Sequence, residues 1–132
     1  MKIAFLAPRY HTNQTALVKY LLKNKHQVFF YVTRIGQSED HSLLKPILIN
    51  FNNFFKVFKR LIKYSNPSLD YRYGIPSIRE LIKFKSNKCD LIIIRDPLNL
   101  MSLTYFLWAK LTGVKVILYI QRNVHNKSIK IK

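Results

Sequence analysis

Short, uninterrupted apolar runs constrain the fold of this chain more than any other feature. Two of them, Ile3–Ala7 and Leu91–Ile94, have the length of strands and are flanked by charged residues or proline. A strand that is apolar at every position has both faces buried, as is typical of a parallel sheet with helices on both sides. The runs therefore predict an α/β fold.

The rest of the chain alternates between strand and helix patterns. Further strands are predicted over Val28–Thr33, Lys45–Ile49 and Val114–Ile120, and the polar segment Arg34–Ser42 is expected to be a loop. Helices are predicted over residues 13–24, 50–64, 77–85 and 97–112. This order predicts a three-layer α/β/α sandwich with a mainly parallel sheet of about five strands and right-handed crossovers.

Several residues mark the predicted helix ends. Asn13 is suited to an N-cap, and Ser77 with Glu80 three positions later forms a capping-box pattern. In Asp96–Pro97 the aspartate suits an N-cap and the proline suits the first helical position. Gly113 stands where a helix commonly ends.

Apolar residues at helical spacing predict which helix faces are buried. In the helix predicted over 13–24 they are Ala16, Leu17, Tyr20 and Leu21. The helix predicted over 97–112 is apolar almost all round, so its orientation is not specified by the pattern. The aromatic and basic segment Leu69–Pro76 is expected to be a loop.

The helix predicted over 50–64 has an apolar side and a cationic side. The apolar residues are Phe51, Phe54, Phe55, Phe58, Leu61 and Ile62, and the cationic residues are Lys56, Lys59, Arg60 and Lys63. We favour packing of the phenylalanines on the sheet, because a helix that covers a sheet must bury one face. The alternative is a helix in a membrane interface, and the cations can attract an anionic membrane surface in either case.

The charge balance of the chain is strongly basic. Among 132 residues, 23 are Lys or Arg and only 6 are Asp or Glu, giving a formal net charge of +17. Such a balance favours a polyanionic partner such as nucleic acid, an anionic membrane or a phosphorylated substrate. A lysine-rich surface that reflects only an AT-rich genome is the alternative. The single cysteine, Cys89, excludes an internal disulfide and fits a reducing cytoplasm.

Candidate ligand-binding residues follow the predicted strands. In a parallel sheet ligands bind beyond the carboxyl ends of the strands, where the strand order reverses. The residues in those places include Arg9, Tyr10, His11, Thr12, Arg34, Arg95, Asp96, Gln121 and Arg122. Arginine suits phosphate and carboxylate because its fork donates two parallel hydrogen bonds. The pattern predicts a cleft for an anionic or hydroxyl-rich ligand.

The common catalytic motifs are absent from the sequence. It contains no P-loop, no G-x-G-x-x-G, no G-x-S-x-G and no Cys/His cluster with metal-ligand spacing, so we expect neither a metal nor a bound cofactor. His11 is the one histidine considered as a catalytic base, although a single loop histidine is more often a hydrogen-bonding residue.

Two stretches resemble the N-terminal domain of GT-B glycosyltransferases of the family-4 type. The first is MKIAFLAPRYHTNQTALVKYLLKNKHQVFFYV, where Leu22, His26 and Val28 match the family's lead-in to its second strand and Lys25 replaces the usual glycine. The second is CDLIIIRDPLNLMSLTYFLWAKLTGVKVILYIQ, a strand, polar turn, apolar helix and strand. His11–Asn13 stands where many members carry two glycines that approach donor phosphates.

The resemblance implies a Rossmann-like, acceptor-binding domain over residues 1–122 followed by a basic tail over 123–132. It implies an enzyme that moves a sugar from a nucleotide-sugar donor, as cosubstrate, to a glycan or lipid-linked surface-glycan precursor. The donor-binding half is not in this chain, so we expect the chain to need that domain or a partner subunit and to be inactive alone. The expected location is the cytoplasm, at the inner face of the membrane.

The resemblance also implies where substrate binds. Arg9, Tyr10, His11, Thr12, Arg95 and Gln121 are expected to line the interdomain cleft, and Tyr71, Arg72 and Tyr73 to contact acceptor sugar. The alternative function is a non-catalytic basic module that binds an anionic membrane surface or nucleic acid. Nucleic acid is the less favoured partner, because no recognised nucleic-acid-binding module is present.

Overall fold

The computed structural model describes residues 1–36, 39–62 and 67–120, and side chains from Leu69 onward after the second gap. The strands are β1 Lys2–Ala7, β2 Gln27–Val32, β3 Ile47–Leu48, β4 Leu91–Arg95 and β5 Lys115–Tyr119. The helices are a 3₁₀ helix Thr12–Gln14, α1 Thr15–Lys23, α2 Asn53–Leu61, α3 Pro67–Tyr73, α4 Ile78–Ser86 and α5 Leu100–Leu111. Among these helices none has the length and apolar character needed to cross a bilayer.

The five strands form one sheet in the order β3-β2-β1-β4-β5, and every pairing within it is parallel. In the centre of the sheet Ile3 pairs with Val28 on one side and with Leu91 on the other. The predicted Rossmann-like three-layer fold is therefore confirmed. Its strand order also places the two best apolar runs of the sequence, in β1 and β4, side by side.

One face of the sheet is covered by α3, α4 and α5. Its core contains Leu6, Ile92 and Ile94 from the strands and Phe84 and Tyr105 from the helices. The rings of Phe84 and Tyr105 meet edge to face, with centroids 5.5 Å apart. This face holds the larger of the two hydrophobic clusters, so most of the apolar burial that stabilises the fold lies here.

The opposite face is only partly covered. α1 packs over β1 and β2, and Leu43 and Leu44 from the β2–β3 connection join the same cluster. Among the described residues no helix lies above β4 and β5 on this side, and Ile117 and Tyr119 of β5 remain 48% and 42% exposed. β5 is an edge strand.

α1 is rotated from the orientation that its sequence pattern predicts. Leu17 and Tyr20 are 46% and 65% exposed, whereas Val18 is fully buried. Val18 packs on the sheet with Leu21 and Leu22, at positions i, i+3 and i+4. The competing stripe that contains Leu17 faces the bare part of the sheet, where the described structure supplies nothing to bury it.

The segment predicted as a loop over Leu69–Pro76 is largely helical. α3 spans Pro67–Tyr73 and packs against α5. The proline opens the helix, which is a favoured place for it. Beyond α3, an isolated bridge joins Pro76 to Phe51, so the chain returns to the start of α2.

Helix ends agree with their predicted caps at the start of α4 and the end of α5, but not at the starts of α1 and α5. The predicted N-cap Asn13 lies inside the 3₁₀ helix, and α1 begins at Thr15 with no side-chain cap. Asn52 caps α2, since its Oδ1 accepts from the N–H of Phe55 at 2.8 Å. Ser77 caps α4 as predicted. α5 begins at Leu100 rather than at Pro97, because Asp96 adopts a left-handed backbone conformation (φ 55°) that a helical N-terminus excludes.

The phenylalanines of α2 are divided between core and solvent. Phe55 is buried, but Phe54 and Phe58 are 75% and 47% exposed. Only the arc of the helix that contains Phe55 meets the rest of the protein. The prediction that the whole aromatic side packs on the sheet is therefore wrong.

Buried acidic groups predict a loss of stability at alkaline pH. Burial raises the pKa of the Cys89 thiol from 9.0 to about 11, and that of the Tyr31 hydroxyl from 10.0 to about 12. Above about pH 9 the unfolded chain therefore binds fewer protons than the folded chain, so the free energy of unfolding falls as pH rises. We expect urea unfolding to show this fall, and Cys89→Ala to show a smaller fall. Parallel pH profiles of the two proteins would contradict the assignment to Cys89.

Candidate functional site

The candidate site lies at the carboxyl ends of β1 and β4. These neighbouring strands lie at the point where the strand order reverses, because the chain proceeds from β1 to β2 on one side and from β4 to β5 on the other. The connections after β1 and β4 therefore diverge and leave a crevice between them. Two clefts open at this edge, one on each face of the sheet.

The first cleft, here called the α1-side cleft, has a volume of about 310 Å³. Phe5 and Ile93 form part of its apolar floor, while Asn13, Gln14 and Arg95 supply polar groups. Asn13 and Gln14 belong to the 3₁₀ helix that leads into α1. The cleft thus joins an apolar surface to the start of a helix and a guanidinium group.

Arg95 is the polar group of this cleft with an unused donor. Its Nε lies 3.4 Å from the Asp96 carboxylate, which is an ion-pair distance. The buried Nε–H nevertheless meets no acceptor with hydrogen-bonding geometry among the described residues. Because an unsatisfied buried donor is costly, this N–H is a suitable partner for an oxygen of a bound ligand.

The second cleft, the α3-side cleft, has a volume of about 380 Å³. It lies between the loop after β1 and the turn after β4, and α3 forms its wall. Arg72, Asp96 and Asn99 contribute polar groups, and Pro8 and Leu98 contribute apolar ones. A carboxylate, a guanidinium group and an amide in one cleft suit a ligand with several hydroxyl or phosphate oxygens.

Two hydrogen bonds hold the turn after β4, one between backbone groups and one from the Asn99 side chain. The N–H of Asp96 donates to the carbonyl of Tyr119 at 3.0 Å, which ties the turn to β5. The side-chain amide of Asn99 donates to the carbonyl of Asp96 at 3.0 Å. Aspartate tolerates the left-handed conformation better than most residues. Asp96 thereby lines the α3-side cleft, while its carboxylate lies 3.4 Å from the Nε of Arg95.

Tyr71 closes the α3 side of the site and has a structural role. Its hydroxyl lies 2.6 Å from the carbonyl oxygen of Arg95, 3.3 Å from that of Leu6 and 2.8 Å from the hydroxyl of Ser102. Burial raises the pKa of Tyr71 above its ordinary value. With only 2% of the residue exposed, its ring offers no face for a sugar to stack on, contrary to the expectation for this residue.

The first loop places most of its candidate residues away from both clefts. Tyr10 is buried against Phe30, with ring centroids 4.9 Å apart. The Nδ1 of His11 accepts from the N–H of Asn13 at 3.4 Å, so this histidine acts as an N-cap. Arg9 pairs with Glu39 at 3.4 Å. These three residues shape the loop and do not line the crevice.

The other predicted site residues are dispersed. Thr12 is exposed at the start of the 3₁₀ helix. Tyr73 lies outside both clefts, and the guanidinium of Arg72 sits 5.7 Å from its ring centre. Gln121 and Lys63 lie outside the described residues. Of the expected substrate contacts that the structure describes, only Arg95 on one face of the sheet and Tyr71 and Arg72 on the other border a cleft.

Asn13, Gln14 and Asn99 line the clefts but were not predicted as ligand contacts. Asn99 could have been found, since it follows a buried strand within a few residues, as the predicted residue Asp96 does. Asn13 and Gln14 line a cleft because no described helix covers the part of the sheet beside α1. No local pattern in the sequence predicts that this part of the sheet is uncovered.

The comparisons with known proteins do not assign a family. No protein-family model matches the chain, and no curated protein or solved structure matches it either. The resemblance to glycosyltransferases is therefore carried by the quoted stretches of sequence and is compatible with the Rossmann-like fold.

Proposed function

We propose that this chain is the acceptor-binding half of a glycosyltransferase that uses a nucleotide-sugar donor and a surface-glycan precursor. The observation that carries the proposal is the buried Nε–H of Arg95, which has no hydrogen-bond acceptor among the described residues and lies beside an open crevice at the reversal of strand order. A Rossmann-like domain binds ligands at that place, and an arginine there favours an anionic one.

The α3-side cleft supports a sugar-containing acceptor. The Asp96 carboxylate accepts hydrogen bonds, so it is suited to a sugar hydroxyl, while Arg72 is exposed at the rim and suited to a phosphate. A phosphosugar or lipid-linked phosphosugar presents both chemical groups. The acceptor would lie across the ends of β1 and β4, with its phosphate towards the guanidinium groups.

The bare face of β4 and β5 supports a second lobe. In a two-lobed enzyme the donor-binding domain or partner subunit closes over the crevice, and the apolar floor of the α1-side cleft is available for such a contact. The chain alone would then bind acceptor weakly and would not transfer sugar. Peripheral attachment at the inner face of the membrane would bring a lipid-linked acceptor within reach.

Binding of glucose 1-phosphate as a probe tests the proposal. In ¹⁵N-edited NMR spectra of the full chain, we expect shifts concentrated in the loops after β1 and β4. Arg95→Gln should weaken this binding about tenfold, because a charge-assisted contact to the phosphate is lost. The matched control is Arg79→Gln, on the exposed surface of α4, which should bind like the unmodified protein.

Three results would overturn the proposal. One is the absence of shifts at millimolar probe, and another is an equal loss of binding in the Arg95 and Arg79 variants. The third is binding of inorganic phosphate as strongly as glucose 1-phosphate, which would reveal a general anion site. Tight, salt-sensitive binding of DNA of arbitrary sequence, without any effect of the sugar phosphate, would favour the non-catalytic binding module instead.

A further inference from the structure

α2 presents an apolar stripe to solvent. Phe54, Phe58 and Leu61, at positions i, i+4 and i+7 of the helix, are 75%, 47% and 77% exposed. Two further apolar residues extend the stripe, with Val57 53% and Ile62 50% exposed. Isolated exposed apolar side chains are common, but a contiguous stripe of this size marks an interaction surface.

The orientation of α2 is fixed by contacts on its other side. Lys59 points inward, where its Nζ lies 2.7 Å from the Asp70 carboxylate. The same ammonium lies 5.7 Å and 6.0 Å from the ring centres of Phe51 and Phe55. Because these contacts hold the inner side of the helix, the exposed stripe is a stable property of the fold. Lys59, expected to face a membrane, is instead a structural residue.

The stripe continues into a neighbouring apolar groove of about 470 Å³. Tyr73 from α3, Ile75 from the following turn and Leu100 from α5 line it. From α2 it is lined by Phe54, Phe58 and Ile62 of the stripe and by the inward-facing residues Phe55 and Lys59. Leu98, 97% exposed, lies two residues before Leu100. Elements distant in sequence therefore build one apolar face, which we call the α2 face: Phe54, Phe58, Leu61, Ile62, Tyr73 and Leu100.

The α2 helix also carries exposed cations. At about 100° per residue, Arg60 falls next to Val57 at the edge of the apolar stripe, whereas Lys56 falls on the side opposite Phe54 and Phe58. The whole chain carries a formal charge of +17. An exposed apolar face on so cationic a chain is complementary to an anionic lipid surface, whereas a second copy of the chain would be repelled.

We propose that the α2 face docks on an anionic bilayer, with Phe54, Phe58 and Leu61 inserted among the lipid headgroups and Arg60, at the edge of the stripe, directed towards the phosphates. α2 lies parallel to the membrane surface in this arrangement, as interfacial amphipathic helices do. The proposal rests on exposure and charge alone and is independent of the proposed sugar-transfer function.

Vesicle sedimentation tests the docking face. The full chain is mixed with vesicles of phosphatidylcholine and with vesicles that also contain phosphatidylglycerol. We expect binding to the anionic vesicles only, and a loss of about tenfold or more in Phe54→Gln/Phe58→Gln. The matched control, Leu17→Gln/Tyr20→Gln, changes two residues of α1 that are also exposed but lie on the other side of the sheet, and it should bind normally.

Cation variants and a local probe complete the test. Lys56→Gln/Arg60→Gln should weaken anionic binding about tenfold at low salt, and Lys19→Gln/Lys23→Gln on α1 should weaken it less. In Phe58→Trp the tryptophan emission should shift to the blue with anionic vesicles, whereas the unmodified protein, which contains only Trp108, should show no such shift. Equal losses in the α1 and α2 variants, equal binding to neutral vesicles, or an α2-dependent dimer without vesicle binding would each overturn the proposal.

Discussion

Replacing Tyr71 with alanine is expected to lower the free energy of unfolding by about 3–5 kcal/mol, the cost typical of removing a buried aromatic ring. Tyr71 is 2% exposed, and its side chain joins α3 to the carboxyl ends of β1 and β4. Its loss leaves a cavity at the point where β1, β4 and α5 meet. Urea unfolding followed by circular dichroism measures the change.

Tyr71→Phe separates the hydroxyl from the ring. It should cost about 1 kcal/mol, because the Arg95 carbonyl loses its 2.6 Å partner and keeps the Ser102 hydroxyl as a donor at 3.1 Å. Tyr105→Phe is the matched control, since Tyr105 is also buried but its hydroxyl has no partner among the described residues. That change should leave stability equal or higher. A Tyr71→Phe protein as stable as Tyr105→Phe would contradict the assigned role.

Gly74→Ala is expected to destabilise the fold by about 2 kcal/mol or more, because the site has no room for a methyl group. A Cβ at this position would overlap the carbonyl oxygen of Asp70 and the ring of Phe51. Both groups belong to the contacts that hold α2, since Asp70 pairs with Lys59 and Lys59 lies over the Phe51 ring. The substitution must therefore displace backbone at the end of α3.

Gly113→Ala is the matched control for this prediction. Gly113 has a φ of +73°, but no atom lies within 4 Å of its ideal Cβ position. Its substitution should cost about 1 kcal/mol, from backbone conformation alone. Urea unfolding measures the free energy of unfolding of both variants. If Gly74→Ala loses no more of it than Gly113→Ala, the steric explanation is wrong.

Much of the strand arrangement was predictable because its causes are local. Ile3–Ala7 and Leu91–Ile94 are apolar at every position, and this pattern alone indicates strands buried on both sides. The caps at Ser77 and Gly113 are equally local, because each depends on one side chain or one backbone conformation. These features hold whichever elements become neighbours in space.

Helix faces were less predictable, since burial depends on what lies opposite. Leu17 and Tyr20 resemble the apolar residues that α1 buries, yet they are 46% and 65% exposed. Leu17 borders the cleft above the part of the sheet that no described helix covers. In α2, Lys59 points inward because it pairs with Asp70. Asp70 belongs to α3, a helix in the segment that the sequence pattern predicted as a loop. Only the packed elements decide between such competing stripes.

The candidate site shows the same division. Arg95 was predicted as a ligand contact because it follows a buried strand, and it does border a cleft at the reversal of strand order. Tyr10, which follows β1, and Tyr71, in the segment predicted as a loop, were also predicted as ligand contacts. Both are buried in the core. Whether a tyrosine beside a site contacts ligand or supports the fold depends on its neighbours in three dimensions.

The sequence by itself determined the α/β class, the central strands and the basic character of this protein, because apolar runs, caps and charge act over a few residues or over the whole chain. The tertiary structure alone decided which face of each helix is buried and which face of β5 the described residues leave uncovered. It also decided the structural roles of Tyr71 and Lys59 and the exposure of Phe54 and Phe58. These depend on contacts between residues far apart in sequence, whose free energies no local pattern contains.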